Sequence, residues 1–389
     1  MDNIPKYEEF LKQIKINLWL SGIPYGDPKF NFRFFVIYIQ LLLMIVLEVS
    51  FFVSRISAEN FLELTQLAPC MGIGILSALK IVSIAQKRKK IYDLTECLGK
   101  LYQNILKDNK KISLVKKDLI LLNLLMKYYV ILNVVLISVY NFATPFIILY
   151  HYLTTNEVIF KLPFAVLVPF STDACISNIL DTLTVLFFFP GFICVLFYTT
   201  VDGLYFVLTS HVCANFSVIS DMIECLDKTT VNRLANIVKE HQYVLKLGED
   251  LEDIFTAPNL FNVLVGSLEI CALGFNLTTG SWEQIPGCVL FLLSVLLQIL
   301  MMSVFGENMI RESKKIGDAA FLCKWYEMDE KSKKTILTIM IRSKKPQQLT
   351  AYKFSTISYG SFTKIISTSW SYFTILRTVY TPPEASHSD

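Results

Sequence analysis

The run FFVIYIQLLLMIVLEVSFFV, residues 34–53, decides the fold class, because its twenty residues contain a single charge, Glu48. A helix of that length crosses the roughly 30 Å hydrocarbon core of a bilayer at about 1.5 Å per residue. The whole chain has 389 residues, of which 53% are apolar and only 18% charged, whereas ordinary soluble domains contain about 25% charged residues. The sequence therefore predicts an all-α protein that crosses a membrane several times.

Six further stretches are long and apolar enough, or nearly so, to cross a membrane as helices. The last of them is the weakest, because Ser, Thr and Lys interrupt it, although small hydroxylic residues suit a helix packed among others. A six-span alternative would make this last stretch a cytoplasmic helix. The six stretches are residues 67–84, 128–150, 183–202, 260–277, 286–305 and 354–380.

The basic residues between the spans favour seven spans and give their orientation. Lys and Arg together number 5 before the first span and 1 after it, then 11, 1, 4, 0 and 11 in the following segments, with none after the seventh. High and low numbers alternate, so the positive-inside rule puts the N-terminus in the cytoplasm and the C-terminus outside. This orientation is opposite to that of G-protein-coupled receptors. The lack of an internal repeat in the sequence gives little support to a transporter.

The segments on the predicted cytoplasmic side contain amphipathic helices. In residues 91–127 and 231–255, apolar residues recur at steps of three and four, which is typical of a helix with one apolar face. Such helices bury their apolar faces against each other beneath a membrane bundle, so we predict a cytoplasmic helical anchor platform. Helices that lie on the inner leaflet are the alternative.

Charged residues inside the spans are rare and are weighed one by one. Lys80 and Asp202 lie near the cytoplasmic ends of their spans and Glu48 near the outer end of the first, so we expect these three side chains to reach the membrane interface. Glu269 lies in the middle of a span. It is either a buried packing partner or a participant in conformational change or conduction.

The motifs of common enzymes are missing from this sequence. It contains no H-E-x-x-H, no G-x-x-x-x-G-K-[ST] and no G-x-S-x-G, and its nine Cys residues include no C-x-x-C. The net charge of +3 is not gathered in one basic patch, which argues against binding to nucleic acid. We therefore expect neither an enzyme nor a metal site or a cofactor.

Aromatic residues concentrate near two prolines, Pro145 and Pro190, in neighbouring spans. Proline kinks open space between helices. A packed or lipid-facing aromatic stripe is the simpler interpretation of this pattern. The sharper one is an apolar ligand cavity with a few polar groups.

The C-terminal part of the chain resembles the insect odorant receptor family. Residues 241–275, HQYVLKLGEDLEDIFTAPNLFNVLVGSLEICALGF, resemble that family's entry into the fifth span. The most specific match lies in residues 342–377, with R-S-x-K-P-x-x-L-T-A, then S-F-x-K-I-I and S-Y-F-T-x-L-R. The first 230 residues match only in the pattern and length of their spans.

This resemblance implies an odour-gated, non-selective cation channel in the plasma membrane of olfactory sensory neurons. Family members are similar in forming heterotetramers of a ligand-tuned subunit and a common co-receptor. The chain lacks the long insertion that is typical of the co-receptor between spans four and five, so it resembles a tuning subunit. The related gustatory receptors typically end in T-Y-x-x-x-x-x-Q, and here Ser371-Tyr372 is followed by Thr378 without the Gln. A homomeric gustatory-type channel is the alternative.

The resemblance also assigns roles to particular segments and residues. It implies a cytoplasmic N-terminal segment at 1–33, spans one to six with the odorant pocket and cytoplasmic helical extensions at 34–305, and anchor helices with a pore-lining seventh span at 306–389. Ile375 matches the family's apolar pore gate, and Thr378 lies one turn outward. The pocket is expected among the outer halves of spans two, three, four and six. Its candidate residues are Met71, Ser138, Asn141, Phe142, Phe187, Phe188 and Phe291.

Overall fold

The computed structural model describes residues 5–26, 29–56, 61–156, 176–279 and 285–379, and only the backbone of 143–145, 148 and 176–190. Within these ranges the chain is almost entirely helical, as the sequence predicts. Two short 3-10 turns, Val231–Arg233 and Trp325–Glu327, precede α7 and α9. The α-helices are α1 (Tyr7–Leu20), α2 (Phe32–Ser54), α3 (Phe61–Gln86), α4 (Arg88–Ile105), α5 (Asn109–Thr155), α6 (Ile176–Glu224), α7 (Leu234–Thr279), α8 (Ile285–Leu322), α9 (Glu330–Ser343) and α10 (Tyr359–Val379).

Six of these helices, α2, α3, α5, α6, α7 and α8, are long and apolar enough to cross a membrane. The seventh span of the sequence-based prediction corresponds to α10. Its 21 residues make it about 30 Å long at about 1.5 Å per residue, which matches the hydrocarbon core of a bilayer.

The spans differ sharply in burial, which places α6 at the centre of the bundle and α2 at its edge. The most apolar window of α6 is 89% buried, whereas that of α2 is 17% buried. Helix α6 packs against α3, α5 and α8, and α2 contacts α3 and α6. The large apolar side chains that α2 exposes, such as Ile39 and Val46, are suited to contact with lipid.

Three helices are much longer than a bilayer is thick. Helices α5, α6 and α7 have 47, 49 and 46 residues, or about 70 Å each at about 1.5 Å per residue. Their extra length packs with α1, α4 and a short β-hairpin, and α9 packs against α8, to form what we call the base of the bundle. The predicted packing of the amphipathic helices against each other is therefore confirmed.

Aromatic contacts hold α1 and α4 to α6 within the base. The ring of His211 lies edge-on to those of Tyr7 and Tyr102, with centroids 4.9 and 5.3 Å apart. The Tyr102 hydroxyl donates a hydrogen bond to the Pro5 carbonyl at 2.8 Å. Burial raises the pKa of Tyr102 to about 12, further above neutral pH than the usual value near 10.

A two-stranded hairpin, β1 (Thr350–Ala351) and β2 (Ser355–Thr356), directs the chain from the base into α10. Its turn residues Tyr352 and Lys353 have φ of 47° and 62°. Just after β2, the carbonyl oxygen of Ile357 lies so close to Gly306 of α8 that a Cβ at position 306 would clash with it. Glycine at this position therefore allows the start of α10 to pack directly on α8.

Candidate functional site

A cavity of about 50 Å³ lies between α2, α3, α5, α6 and α8, inside the membrane-spanning part of the bundle. On the same measure a water molecule needs about 10–15 Å³, so the cavity has room for a small molecule. Its walls are overwhelmingly apolar. They are formed by Leu41, Met44, Ile45, Glu48, Cys70, Ile73, Gly74, Leu136, Ile137, Tyr140, Gly191, Cys194, Val195 and Phe291.

Two of the predicted pocket residues lie at this cavity. Phe291 lines it and meets the ring of Tyr140 edge-on, with centroids 5.7 Å apart. Asn141 is fully buried beside it, and neither atom of its amide group has a hydrogen-bond partner in the described residues. A Cβ on Gly191 would lie 2.7 Å from the Asn141 amide nitrogen, so glycine at this position lets α5 and α6 approach closely.

Three other predicted pocket residues do not line the cavity. Phe142 is 51% exposed and its ring contacts that of Phe192. The Ser138 hydroxyl donates to the Val134 carbonyl of its own helix at 2.7 Å. Met71 is half-buried, although its neighbour Cys70 does line the cavity. The side chains of Phe187 and Phe188 lie outside the described residues.

Glu48 is a cavity residue that the sequence interpretation missed. The expectation that its side chain reaches the membrane interface is wrong, because only 2% of the residue is exposed and it lines the cavity. The reason is the face of α2 on which it lies. The buried residues of α2 form one stripe, at Phe34, Leu41, Met44 and Glu48, and the rest of the helix faces outward.

The second group of buried polar residues centres on Asp202 of α6. Its two carboxylate oxygens accept hydrogen bonds from Lys80 Nζ at 2.6 Å and from the Tyr129 hydroxyl at 2.6 Å. Lys80 also lies 4.1 Å from the ring centroid of Tyr198. The side chains of Lys80 and Asp202 are 0% and 2% exposed. The expectation that both reach the membrane interface is therefore wrong, because they pair with each other inside the bundle.

Amide side chains extend this network to α7 and α8. Gln298 Nε2 donates to Asp202 Oδ2 at 2.9 Å and to Asn262 Oδ1 at 3.0 Å. The Ser294 hydroxyl donates to Asn133 Oδ1 at 3.2 Å. Hydrogen bonds thus join all five of the helices α3, α5, α6, α7 and α8 at one level of the bundle.

This network lies about two helical turns from the cavity, on the side of the base. Asp202 follows Val195 by seven positions on α6, and Gln298 follows Phe291 by seven on α8. Seven residues of helix rise about 10 Å. A ligand in the cavity and the ion pair beneath it therefore share the same helices.

Glu269 of α7 is buried, with 3% exposed, and its Oε1 atom has no hydrogen-bond partner in the part of the chain that the structure describes. It packs against α3, where a Cβ on Gly72 would lie 2.8 Å from that oxygen. The absence of a side chain at Gly72 leaves the space that the Glu269 carboxyl occupies. A role for Glu269 in gating stays a hypothesis.

Helix α10 has one packed face and one open face. On the packed face Phe373 contacts Phe275 and Cys271 of α7, and the Ser369 hydroxyl donates to the Ser267 carbonyl at 3.0 Å. Ile375, one of the two predicted gate residues, is 56% exposed on the other side. The second, Thr378, is exposed as well and donates its hydroxyl hydrogen bond to the carbonyl of Ile375. The structure of the single chain thus leaves both residues uncovered.

Signals in the sequence could have found the polar residues that the interpretation misplaced. Lys80 and Asp202 are opposite charges in two different apolar spans, the first about one turn from the predicted cytoplasmic end and the second at it. Charges at matched depth are candidates for pairing, because an unpaired charge inside a membrane is costly. Gln298 and Asn262 add mid-span amide groups that need partners of their own.

The described residues contain no group of three or more His, Cys, Asp or Glu side chains that could hold a metal ion. The two sites described above, the cavity and the hydrogen-bonded network around Asp202, differ in their chemistry. The cavity offers apolar contact with one carboxyl group, and the network offers an ion pair with a shell of hydrogen bonds.

Comparisons with known proteins agree on one family. Residues 60–370 match the family model described as 7tm Odorant receptor. The chain is 26% identical to odorant receptor 67c of Drosophila melanogaster, over 92% of this chain and 91% of that protein. It is 30% identical to odorant receptor 13a of the same insect, over 56% of this chain and 58% of that protein.

A solved structure shares the fold. The olfactory receptor OR5 of Machilis hrabei, in complex with eugenol, superposes with a TM-score of 0.76 at 18% identity, over 96% of this chain and 100% of that chain. A second structure of the same receptor superposes with a TM-score of 0.77 at 17% identity. These matches confirm the predicted seven-transmembrane helical bundle.

Proposed function

Since the chain belongs to the 7tm odorant receptor family, we propose that it is the odorant-tuned subunit of a ligand-gated, non-selective cation channel. In this proposal it assembles with an odorant co-receptor into a heterotetramer in the plasma membrane of an olfactory sensory neuron. The observation that carries the proposal is the apolar cavity between α2, α3, α5, α6 and α8. The apolar walls of this cavity suit contact with a volatile apolar molecule.

The open face of α10 supports a role in the pore. Three large side chains on this face are exposed in the single chain: Trp370 by 66%, Tyr372 by 51% and Ile375 by 56%. Large apolar side chains this close together on a surface are suited to contact another subunit or to line a pore. In a tetramer, Ile375 from each subunit would narrow the pore to a hydrophobic constriction. Such a constriction excludes ions by dewetting.

The ligand acts in this proposal by favouring one arrangement of the helices. It shifts the channel toward the open state only as far as it binds that state more tightly. Helices α7 and α8 both pack against α10, and α8 contributes Phe291 to the cavity. A ligand that moves α8 relative to α6 would therefore displace a helix in direct contact with α10.

The proposed orientation follows the distribution of basic residues. The base contains the basic runs at residues 87–90 and 331–334, and the positive-inside rule favours the cytoplasm for such segments. The N-terminus and the base would then lie inside the cell. Ile375 and Thr378 would lie near the outer mouth of the channel.

Whole-cell recording tests this function. The chain is expressed alone and together with an insect odorant co-receptor, and both cells are exposed to a panel of volatile esters, alcohols, aldehydes and terpenoids. We expect an odour-evoked cation current only when both subunits are present. Current from the chain alone would instead indicate a homomeric, gustatory-type channel. Silence with surface expression confirmed would contradict an odour-gated channel for the ligand classes in the panel.

A further inference from the structure

Glu48 places an acidic group in a cavity that is otherwise apolar. It is 2% exposed and lies on the inward stripe of α2, so its side chain is directed into the bundle. The rest of the lining consists of apolar side chains, two glycines, two thiols and the phenol of Tyr140. Among the described residues that line the cavity, Glu48 alone has a carboxyl group.

This carboxyl group has no hydrogen bond or ion pair within the described residues. The buried cation Lys80 does not pair with Glu48, because it pairs with Asp202 at 2.6 Å. Arg55, about two turns past the end of the stripe, is exposed and lies over the ring of Phe51. A buried carboxyl without a partner is costly, because burial removes its water and nothing replaces it.

The carboxyl group adjoins a glycine and the cavity. Position 74 of α3 faces it, and a Cβ there would be in ordinary contact with Glu48 Oε2 at 3.9 Å, so glycine leaves the room of one methyl group beside the carboxyl. Cys70 and Cys194 line the cavity, and thiols are only weak hydrogen-bond donors. The phenol of Tyr140 is the stronger donor in this lining, but no hydrogen bond joins it to Glu48 within the described residues. A molecule inside the cavity can supply the hydrogen bond that Glu48 lacks.

We propose that the ligand of this cavity carries a hydrogen-bond donor, an amine or a hydroxyl group, on a compact apolar body, and that Glu48 binds the donor. This inference rests on the proposed function, because it assumes that the cavity is the odorant site. The apolar walls contact the body of the ligand. The carboxyl group fixes its orientation, as single polar groups do in apolar sites.

The chemistry distinguishes this ligand class from its close analogues. A hydrocarbon of the same shape leaves the carboxyl group without a partner. An aldehyde offers only an acceptor, so it can bond only a protonated carboxyl group, whereas an alcohol or an amine can donate to the carboxyl group in either form. An amine, which is protonated at neutral pH, also pairs with the ionised carboxyl group through charge-assisted hydrogen bonds, so the preference is expected to be largest for the amine.

Matched ligands test the proposal in cells that express the chain with an insect odorant co-receptor. Butyl, hexyl and benzyl bodies are each applied as the amine, the alcohol, the aldehyde and the parent hydrocarbon, and the half-maximal concentration of the evoked current is measured. For the body that gives the largest current, we expect the amine to act at concentrations about tenfold or more below the aldehyde and the hydrocarbon, with the alcohol between them.

Two variants connect the preference to Glu48. In Glu48→Leu the preference for a donor should fall to within about threefold, while the hydrocarbon keeps or improves its potency. Glu48→Gln keeps a carbonyl acceptor in the same shape, so it should retain the response to the alcohol and lose potency for the amine. Glu63→Gln removes a charge from the exposed first turn of α3. It should change neither the preference for a donor nor the potency of the hydrocarbon. Surface biotinylation verifies that each variant reaches the membrane.

The outcomes separate this inference from the proposed function. A donor preference of the same size in Glu48→Leu, a preference for the aldehyde or hydrocarbon in the wild-type chain, or silence of all three bodies while other odorants open the channel would overturn the role of Glu48 alone. If no volatile compound evokes current with the co-receptor present, the proposed function itself fails.

Discussion

Lys80 and Asp202 show at the scale of single residues how a buried charge is tolerated in this bundle. Each charge has its counter-ion at 2.6 Å, and Asp202 also accepts hydrogen bonds from Tyr129 and Gln298. A buried pair of this kind gives weak net stabilisation, because desolvation offsets much of the attraction, whereas loss of one partner leaves an uncompensated charge. The pair is thus a point of high sensitivity to single substitutions.

Removal of one charge of the Lys80–Asp202 pair should therefore lower the stability of the protein far more than removal of both charges. We expect Lys80→Met to lower the stability of the protein by about 3–5 kcal/mol, and the double variant Lys80→Met/Asp202→Asn to recover much of that loss. Thermal unfolding of the detergent-solubilised protein, followed by size-exclusion chromatography, measures the difference. Lys12→Met on the exposed side of α1 is the matched control and should behave as the wild-type chain. Equal unfolding temperatures for the single and double variants would contradict the pairing.

At the scale of elements, α10 differs from the other spans in its composition and in its packing. Ser and Thr residues lower its hydropathy, so length and composition alone do not identify it as a span. Its packed face contacts α7 and α8, while a row of large apolar residues stays uncovered. An element that is both weakly apolar and half-covered in the single chain is suited to line a channel between subunits.

A polar residue at the gate should make the constriction easier to hydrate. We expect Ile375→Ser, expressed with a co-receptor, to raise the current measured without any odorant, because a hydroxyl group lowers the cost of wetting. Ile341→Ser makes the same change at a residue of α9 that is 59% exposed, and should leave this basal current unaltered. Basal current equal to wild type in both variants would argue against Ile375 as part of the gate.

The positions of the helices could be predicted from sequence, but their pairing could not. Apolar runs located a helix for each of the first six spans, although α5, α6, α7 and α8 extend well beyond those runs, and the alternation of basic segments supported the seventh. Periodicity also predicted the amphipathic helices that form the base. It could not predict that Lys80 pairs with Asp202, because a pattern along one helix does not identify the partner on another. The position of Glu48 was predicted wrongly for a similar reason. The prediction relied on its proximity to the end of α2 and not on the buried stripe of that helix to which Glu48 belongs.

The distribution of basic residues predicts the orientation of the whole molecule in the membrane. Basic residues gather at the base, where α1, α4 and α9 lie. If the positive-inside rule holds, an epitope at the N-terminus should be labelled only after permeabilisation, and one at the C-terminus in intact cells. Labelling of the N-terminal epitope on intact cells would reverse the orientation and move the base outside.

The most direct test of the whole molecule concerns the link between the cavity and the current. Val195 of α6 is 6% exposed and lines the cavity, so Val195→Phe fills space that a ligand would occupy. Val46 of α2 is 58% exposed on the outer face, so Val46→Phe makes the same change away from the cavity. We predict that Val195→Phe raises the half-maximal concentration of the most potent odorant about tenfold or more, with Val46→Phe unchanged. An unchanged dose–response for a surface-expressed Val195→Phe channel would contradict ligand binding in this cavity.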